Sequence, residues 1–367
     1  MNRTENRYSP DYALAPGETL RETIDAIGMS QADLAERTGR PKKTINGVIM
    51  GKVALTPDTA LQLERVLGIP ASFWNNLERQ YQEALARQEE NSRLEKQLDW
   101  LKSIPVKAMK KLGWICSEET PIDQLRETLR FFAVASPDQW NVLWQSPQAA
   151  FRRSPAFESN PGAVAAWLRQ GEIEAQQIQC APFDADRFRR VLAEVRILTK
   201  EPPEVFQKEV VRLCAEAGVA VVFVPELPGT RVSGATRWLS PTKALIQLSL
   251  RYKTDDHLWF TFFHEAGHIL LHGKREVFLE NDGSSGAEDK EVEAIRFSAD
   301  FLISPKDLDL FTRGRRFFSK ADITHFAEQI GIAPGIVVGR LQHDDLVAPK
   351  DCNGLKRRFE WAVRTES

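Results

Sequence analysis

The chain has no pair of cysteines at CxxC spacing. Its four cysteines, Cys116, Cys180, Cys214 and Cys352, are scattered through 367 residues, which excludes a thioredoxin-like redox motif and a cysteine-held structural zinc. Cysteines distributed in this way read as reduced packing residues of a cytosolic protein. The opening residues, Met1 to Pro10, lack the apolar core of a signal peptide, and no apolar run reaches membrane-spanning length, so a cytoplasmic protein without a membrane partner is expected. A formal net charge of −2 argues against bulk affinity for polyanions. Repeats and low-complexity tracts are missing too. The length is enough for two or three domains, each with a sizeable core.

What is present concentrates in two places. Residues 264 to 268 read His264-Glu265-Ala266-Gly267-His268, an HExxH segment inside the run Trp259 to Leu271 that is otherwise nearly all apolar. A helix advances about 100° per residue, so two His four apart lie about 40° apart on one face, roughly one turn along the axis. That spacing suits two imidazoles on one zinc ion. Glu265, about 100° from His264, can reach a water on the metal rather than the metal itself, as a general base would. Phe260, Phe262, Phe263, Ile269, Leu270 and Leu271 cover nearly the whole circumference, as expected of a buried helix. The two His and the Glu need partners in such a place, and a core helix whose histidines bond to neighbouring backbone is the alternative.

A catalytic zinc takes three protein ligands and keeps one position open, so a third ligand must come from elsewhere. The next helical pattern, Asp289 to Leu302, has its apolar stripe along Ala294, Ile295, Ser298, Phe301 and Leu302. Glu291 falls near the centre of that stripe, and Glu293 falls on the opposite face beside Arg296 and Asp300. A carboxylate on a core-facing stripe is costly unless paired or coordinated, which selects Glu291. Gly273 and the run Asn281 to Gly286 supply a helix stop and a loop between the two helices. His272 lies one turn beyond His268 and is expected in the last helical turn, favoured by the dipole. A metzincin would place its third His where Lys274 stands, so that class is excluded. His257, His325 and His343 have no ligand spacing.

Here the sequence resembles the ImmA/IrrE family of gluzincin-like metallopeptidases. The family pattern HExGHxLLH followed by ExxAxxFAxxLLxP is met by HEAGHILLH and by Glu291, Ala294, Phe297 and Leu302, with Pro305 closing the stretch, over roughly residues 200 to 345. The resemblance implies His264, His268 and Glu291 as metal ligands, Glu265 as the catalytic acid/base, and one Zn2+ per chain. Three positions depart from the pattern: Ile295 for Asn or Asp, Ser298 for Ala, and Ser304 before Pro305.

The second place is the N-terminus, where residues 16 to 70 read as five short helices. Ser30 is the expected N-cap of the second, with Asp33 standing in for the capping-box Glu, and Gly39-Arg40-Pro41 makes a tight turn into the third, Lys42 to Met50. With Ala35, Ile45 and Val48 inward, this is a helix-turn-helix signature. Its third helix would lie in the major groove of double-stranded DNA with Lys42, Lys43, Thr44 and Asn46 at base edges, and Gln31 would touch phosphate. From Gln31 to Lys52 there are five Lys or Arg against two acids, although residues 1 to 90 as a whole are slightly acidic; a small helical bundle with a solvated charge run is the alternative. Gly47 inside the recognition helix costs about 1 kcal/mol relative to Ala and reads as permitting close approach of DNA or a partner helix. Residues 14 to 90 resemble the Cro/C1-type helix-turn-helix of HigA/VapI-like antitoxins, which implies an operator as ligand and a homodimer reading two half-sites.

From Phe73 to Leu101, leucines recur at helical spacing, as in a connecting or dimerising helix. Residues 102 to 182 carry Trp114, Phe131, Phe132, Trp140, Trp144, Phe151 and Trp167, expected as core packing. Strands are expected at Val219 to Val224, Arg231 to Trp238 and Ala244 to Leu250, with a sheet edge beside the HExxH helix to hold substrate by strand addition. The expected fold is therefore multidomain and mainly α. It has a λ-repressor-like all-α helix-turn-helix at 14–90, a helical middle region at 91–182, an α+β zincin-like metallopeptidase domain with a small sheet at 183–345, and a C-terminal tail at 346–367. The function implied is a DNA-binding regulator whose zinc endopeptidase cuts a protein substrate. The alternative is a repressor or antitoxin whose zinc-site domain senses or binds a toxin partner without proteolysis.

Overall fold

The computed structural model describes residues 15–145, 160–272, 278–279 and 288–362. These fall into two units, Met1–Leu98 and Asp99–Ser367. The fold is multidomain and mainly helical, with one small sheet in the second unit. The expected loop residues Gly273, Lys274 and Asn281 to Gly286, and the expected core residue Phe151, lie outside the described residues.

In the first unit, α1 (Pro16–Ala26), α2 (Gln31–Thr38), α3 (Lys42–Ile49), α4 (Pro57–Leu67) and α5 (Ala71–Glu95) follow one another through short turns. Their ends follow from local chemistry. Pro opens α1 and α4, where its missing N–H has no helical partner to lose. The Ser30 hydroxyl accepts from Asp33 N at 3.1 Å while the Asp33 carboxylate accepts from Ser30 N at 3.2 Å, a complete capping box. Gly39 ends α2 at φ 65°, a left-handed conformation that costs glycine nothing. Leu20, Ile24, Leu34, Ile45, Leu63 and Trp74 form the core, and Ala35 and Val48 face inward as the helix-turn-helix pattern requires. Two expectations need correction. Only four helices fit between 16 and 70, and the fifth is a long one of 25 residues; its leucine pattern then stops at Glu95, giving way to a 3-10 turn at Leu98–Ser103. Gly47 makes room for a neighbour within the unit, because a Cβ there would sit 2.6 Å from Val53 Cγ2.

The second unit begins with α6 (Val106–Lys111), α7 (Pro121–Phe132), α8 (Pro137–Trp140), α9 (Pro161–Gln177), α10 (Ala185–Leu198) and α11 (Pro203–Glu216). Then come β1 (Val219–Phe223), β2 (Gly234–Ser240), β3 (Lys243–Leu248), α12 (Asp255–Leu271), β4 (Phe278–Leu279), α13 (Glu288–Leu302), α14 (Pro305–Thr312), α15 (Lys320–Ile330) and α16 (Pro334–His343). The sheet has the order β1-β3-β2-β4, with β1 parallel to β3 and the other pairs antiparallel. Apolar residues run without alternation along β1 because both faces are covered. Val219 and Val221 pack with α10, α11 and α12, whereas Ala220, Val222 and Val224 pack with Trp167 of α9. Trp167 Nε1 donates to Val224 O at 3.0 Å, and Gln247 Nε2 of β3 donates to Trp167 O at 2.6 Å. Phe131, Phe132, Trp140 and Trp167 are buried, so core packing is what these aromatics do. Among the described residues no helix is long and apolar enough to cross a membrane.

The start of α12 is held by the segment near the C-terminus. Asp255 is fully buried and its carboxylate accepts from Arg357 N at 3.1 Å and Arg357 Nε at 3.3 Å. The same guanidinium donates to the carbonyls of Thr199, Lys200 and Glu201. Burial raises the Asp255 pKa, and Arg357 opposes that rise. Arg357→Ala leaves the buried carboxyl only the backbone N–H groups of residues 256 and 357 and should destabilise this unit by about 2–3 kcal/mol, below the full cost of an orphaned buried charge. A lower urea midpoint at unchanged slope would record the loss, and an unchanged midpoint would refute the clamp.

Candidate functional site

Nearly every residue of α12 from Asp255 to Ile269 is buried, between the sheet on one side and α13 and α16 on others. Polar groups in such a helix must be partnered. Thr236 Oγ1 on β2 donates to Glu265 O at 3.2 Å, and Ser298 Oγ on α13 donates to Phe260 O at 2.8 Å. The second contact explains the departure at 298, where the hydroxyl ties α13 to α12.

His264, His268 and Glu291 come together. His264 Nε2 lies 3.0 Å from His268 Nε2. Glu291 Oε2 is 3.2 Å from His264 Nε2, and Glu291 Oε1 is 3.4 Å from His268 Nε2. Three ligand atoms bound tetrahedrally about 2.0–2.1 Å from one zinc would lie roughly 3.3–3.4 Å apart, so the observed triangle fits a single ion of that size. Burial lowers the pKa of His268, which favours the neutral ring that a metal requires. For Glu291 burial pulls upward, but the hydrogen bonds and charges of His264 and His268 outweigh it and bring the carboxyl down to about 2. The donor set is two imidazoles and an ionised carboxylate, with residues 264 and 268 one turn apart on α12 and residue 291 brought across by α13. Glu293 sits on the other face, its side chain 62% exposed against 22% for Glu291.

Glu265 is fully buried, with both carboxylate oxygens shielded from solvent. Gly234, the first residue of β2, makes room for it: a Cβ at 234 would come within 2.7 Å of Glu265 Oε1 and 2.5 Å of Thr261 Cγ2. In the sequence this glycine carries no signal beyond its place inside a strand pattern. Ile295 departs from its expected place on the stripe, since it is 39% exposed. It lines a cavity of about 470 Å³ together with Tyr252, Phe260, Val292, Leu302 and Ile336. Phe260, whose ring stacks on that of His264 at 6.3 Å, and Val292, which follows Glu291, are among its lining residues, whereas His264, Glu265, His268 and Glu291 are not. His272 also departs from expectation: it is the C-cap in an extended conformation, past the last turn.

In the first unit, Lys42, Lys43 and Asn46 are exposed on α3, while Thr44 is partly buried beside the inward Ile45. Gln31 stands at the first position of α2, partly buried. The turn before α3 is braced by Arg40, which pairs with Asp58 and donates to Gln62 Oε1 at 2.7 Å on α4.

A small helical head with a two-helix reading unit, together with a zincin-like HExxH helix facing a Glu-bearing helix, defines a regulator of composite type. Comparison with known proteins gives the family. Residues 20–74 match the helix-turn-helix family model, and residues 214–341 match the peptidase family model described as the IrrE N-terminal-like domain. The chain belongs to the Cro/C1-type helix-turn-helix regulators through its N-terminal unit and carries an IrrE-like domain after it. Virulence-associated protein I of Dichelobacter nodosus is 35% identical over 81 residues, 22% of this chain and 75% of that protein. The HTH-type transcriptional regulator YddM of Escherichia coli is 32% identical over 63 residues, 17% of this chain and 67% of that protein. Among solved structures, an addiction-module antidote protein of the HigA family from Coxiella burnetii is 30% identical, covering 23% of this chain and 92% of its own, with a TM-score of 0.21. An antidote protein of a plasmid maintenance system from Nostoc punctiforme is likewise 30% identical, covering 23% and 91%, with a TM-score of 0.22.

Proposed function

We propose that this protein is a DNA-binding regulator of the cytoplasm that hydrolyses a peptide bond in a protein substrate, using one zinc held by His264, His268 and Glu291. The observation that carries the enzymatic part is the ligand triangle of 3.0, 3.2 and 3.4 Å, matched to one tetrahedral ion. Zinc held there would supply Lewis-acid chemistry, acidifying water and drawing charge from a carbonyl oxygen. Glu265 then takes the proton of the attacking water on its carboxylate and delivers it to the departing amine. Its burial keeps that carboxylate away from bulk solvent, and Gly234 leaves the space its side chain needs. The test compares cleavage products across a whole proteome for the natural chain and for Glu265→Gln. Products that appear with both proteins would sink the hydrolase.

The first unit reads an operator as a homodimer, with α3 in the major groove and Lys42, Lys43, Thr44 and Asn46 toward base edges. Support comes from the exposure of Lys42, Lys43 and Asn46 opposite the buried Ile45, Val48 and Ile49. Asn46→Ala should weaken operator binding by about 1–3 kcal/mol and relax base preference at one position, whereas Gln31→Ala should weaken all sequences alike. A titration in which Asn46→Ala keeps full affinity and preference would remove α3 from the groove. A second reading keeps the same DNA-binding head and makes the protein a repressor or antitoxin whose zinc-site domain senses or binds a partner without cutting it. The two differ on whether Glu265 matters once metal is bound.

A further inference from the structure

Resting on the metal-site reading above, we infer that Glu293 and His272 form a positioning relay that sets the tautomer of His268 and aims its Nε2 lone pair at the metal. The contacts run in one line. Glu293 Oε2 lies 3.2 Å from His272 Nε2, and His272 Nδ1 lies 3.0 Å from His268 Nδ1. His268 Nε2 lies 3.0 Å from His264 Nε2 and 3.4 Å from Glu291 Oε1, at the corner where the ligand atoms converge. Both imidazoles of the relay are buried, with 3% and 1% of their side chains exposed, while Glu293 reaches solvent.

Hydrogen counting fixes the direction. A carboxylate facing a ring nitrogen accepts, so His272 donates from Nε2 and turns the lone pair of Nδ1 toward His268. Two ring nitrogens 3.0 Å apart need a hydrogen or an ion between them; the Nε2 pair of His264 and His268 converges on the ion, so the Nδ1 pair holds the hydrogen and His268 donates it. That leaves His268 Nε2 without a hydrogen, the form in which it can coordinate. The opposite direction fails at both ends: it sets a His272 lone pair against the Glu293 carboxylate and puts a hydrogen on the nitrogen that must bind metal. Metal-bound histidines are commonly oriented by a carboxylate or carbonyl at the other ring nitrogen. Here the carboxylate acts through an intervening imidazole. The backbone explains why: α12 ends at Leu271, and the extended C-cap at His272 turns its ring to lie between His268 and α13. Glu293 stands two residues after Glu291, so one helix supplies both the ligand and the start of the relay.

Two measurements on the full-length protein loaded with zinc test the relay without recourse to activity. Long-range proton–nitrogen correlation NMR on histidine-labelled protein should show hydrogen on His268 Nδ1 and on His272 Nε2. Hydrogen on His272 Nδ1 would overturn the proposal. Zinc affinity, read by chelator competition, should fall roughly 10–100-fold in His272→Phe, which keeps the ring volume and removes both contacts. His272→Asn, able to accept from His268 Nδ1, should recover most of that loss. Glu293→Ala, a surface change that leaves the core untouched, should shift affinity the same way by a smaller factor. Affinities of His272→Phe and Glu293→Ala equal to the natural chain, with one zinc still bound, would reject the relay and leave the metal site standing. A natural chain that binds no zinc would reject both.

Discussion

A Glu265→Gln chain is expected to retain one zinc and its operator affinity while cutting substrate about 10²–10⁴ times more slowly, the range in which a positioned acid/base contributes. The expectation is that sharp because of what the substitution spares. Gln has the shape of Glu, so the space left by Gly234 and the bond from Thr236 Oγ1 to the residue-265 carbonyl are unaffected. The ligands His264, His268 and Glu291 are unaffected as well, and only the capacity to carry a proton is removed. If cleavage persists at full rate, Glu265 is not the base. If there is no cleavage to lose while the regulatory phenotype is normal, the domain binds rather than cuts.

Glu291→Ala should have a comparably large effect on a different quantity. Two imidazoles 3.0 Å apart remain, without the anion that completes the set and offsets the charge of the ion. Zinc content should fall from one per chain toward zero, and the metal's contribution to stability should go with it. Any ligand that binds only the folded state stabilises it by RT ln(1 + [L]/Kd), about 2.7 kcal/mol at a free concentration one hundred times Kd. Added zinc should therefore raise the thermal midpoint of the natural chain and leave that of the variant where it was. A variant that still titrates with one zinc would show that some other group is the third ligand.

How far these features could be read in advance varies with how local they are. Capping at Ser30 and Asp33 involves atoms three residues apart, and the HExxH spacing is a property of one helix, so both are visible in a bare sequence. Choosing Glu291 over Glu293 needed only a helical wheel and the cost of burying charge. The same wheel misplaced Ile295, because it gives an angle and not the neighbour found there, which is a cavity. Gly47 and Gly234 were opaque for a related reason: what each must avoid, Val53 Cγ2 and Glu265 Oε1, is set by how chain segments pack. His272 looked like a residue stabilised by a helix end because its partner Glu293 is 21 positions away, across a loop.

The cover over the sheet sets limits on cutting this protein apart. A fragment trimmed to the matched span, 214–341, would lose Trp167, which lies on Ala220, Val222 and Val224, and Arg357, which clamps Asp255 at the head of the ligand-bearing helix. The bared sheet face would be a broad sticky surface of the sort that drives precipitation. A soluble stand-alone version of this domain must therefore begin upstream of α9 and run past Phe359.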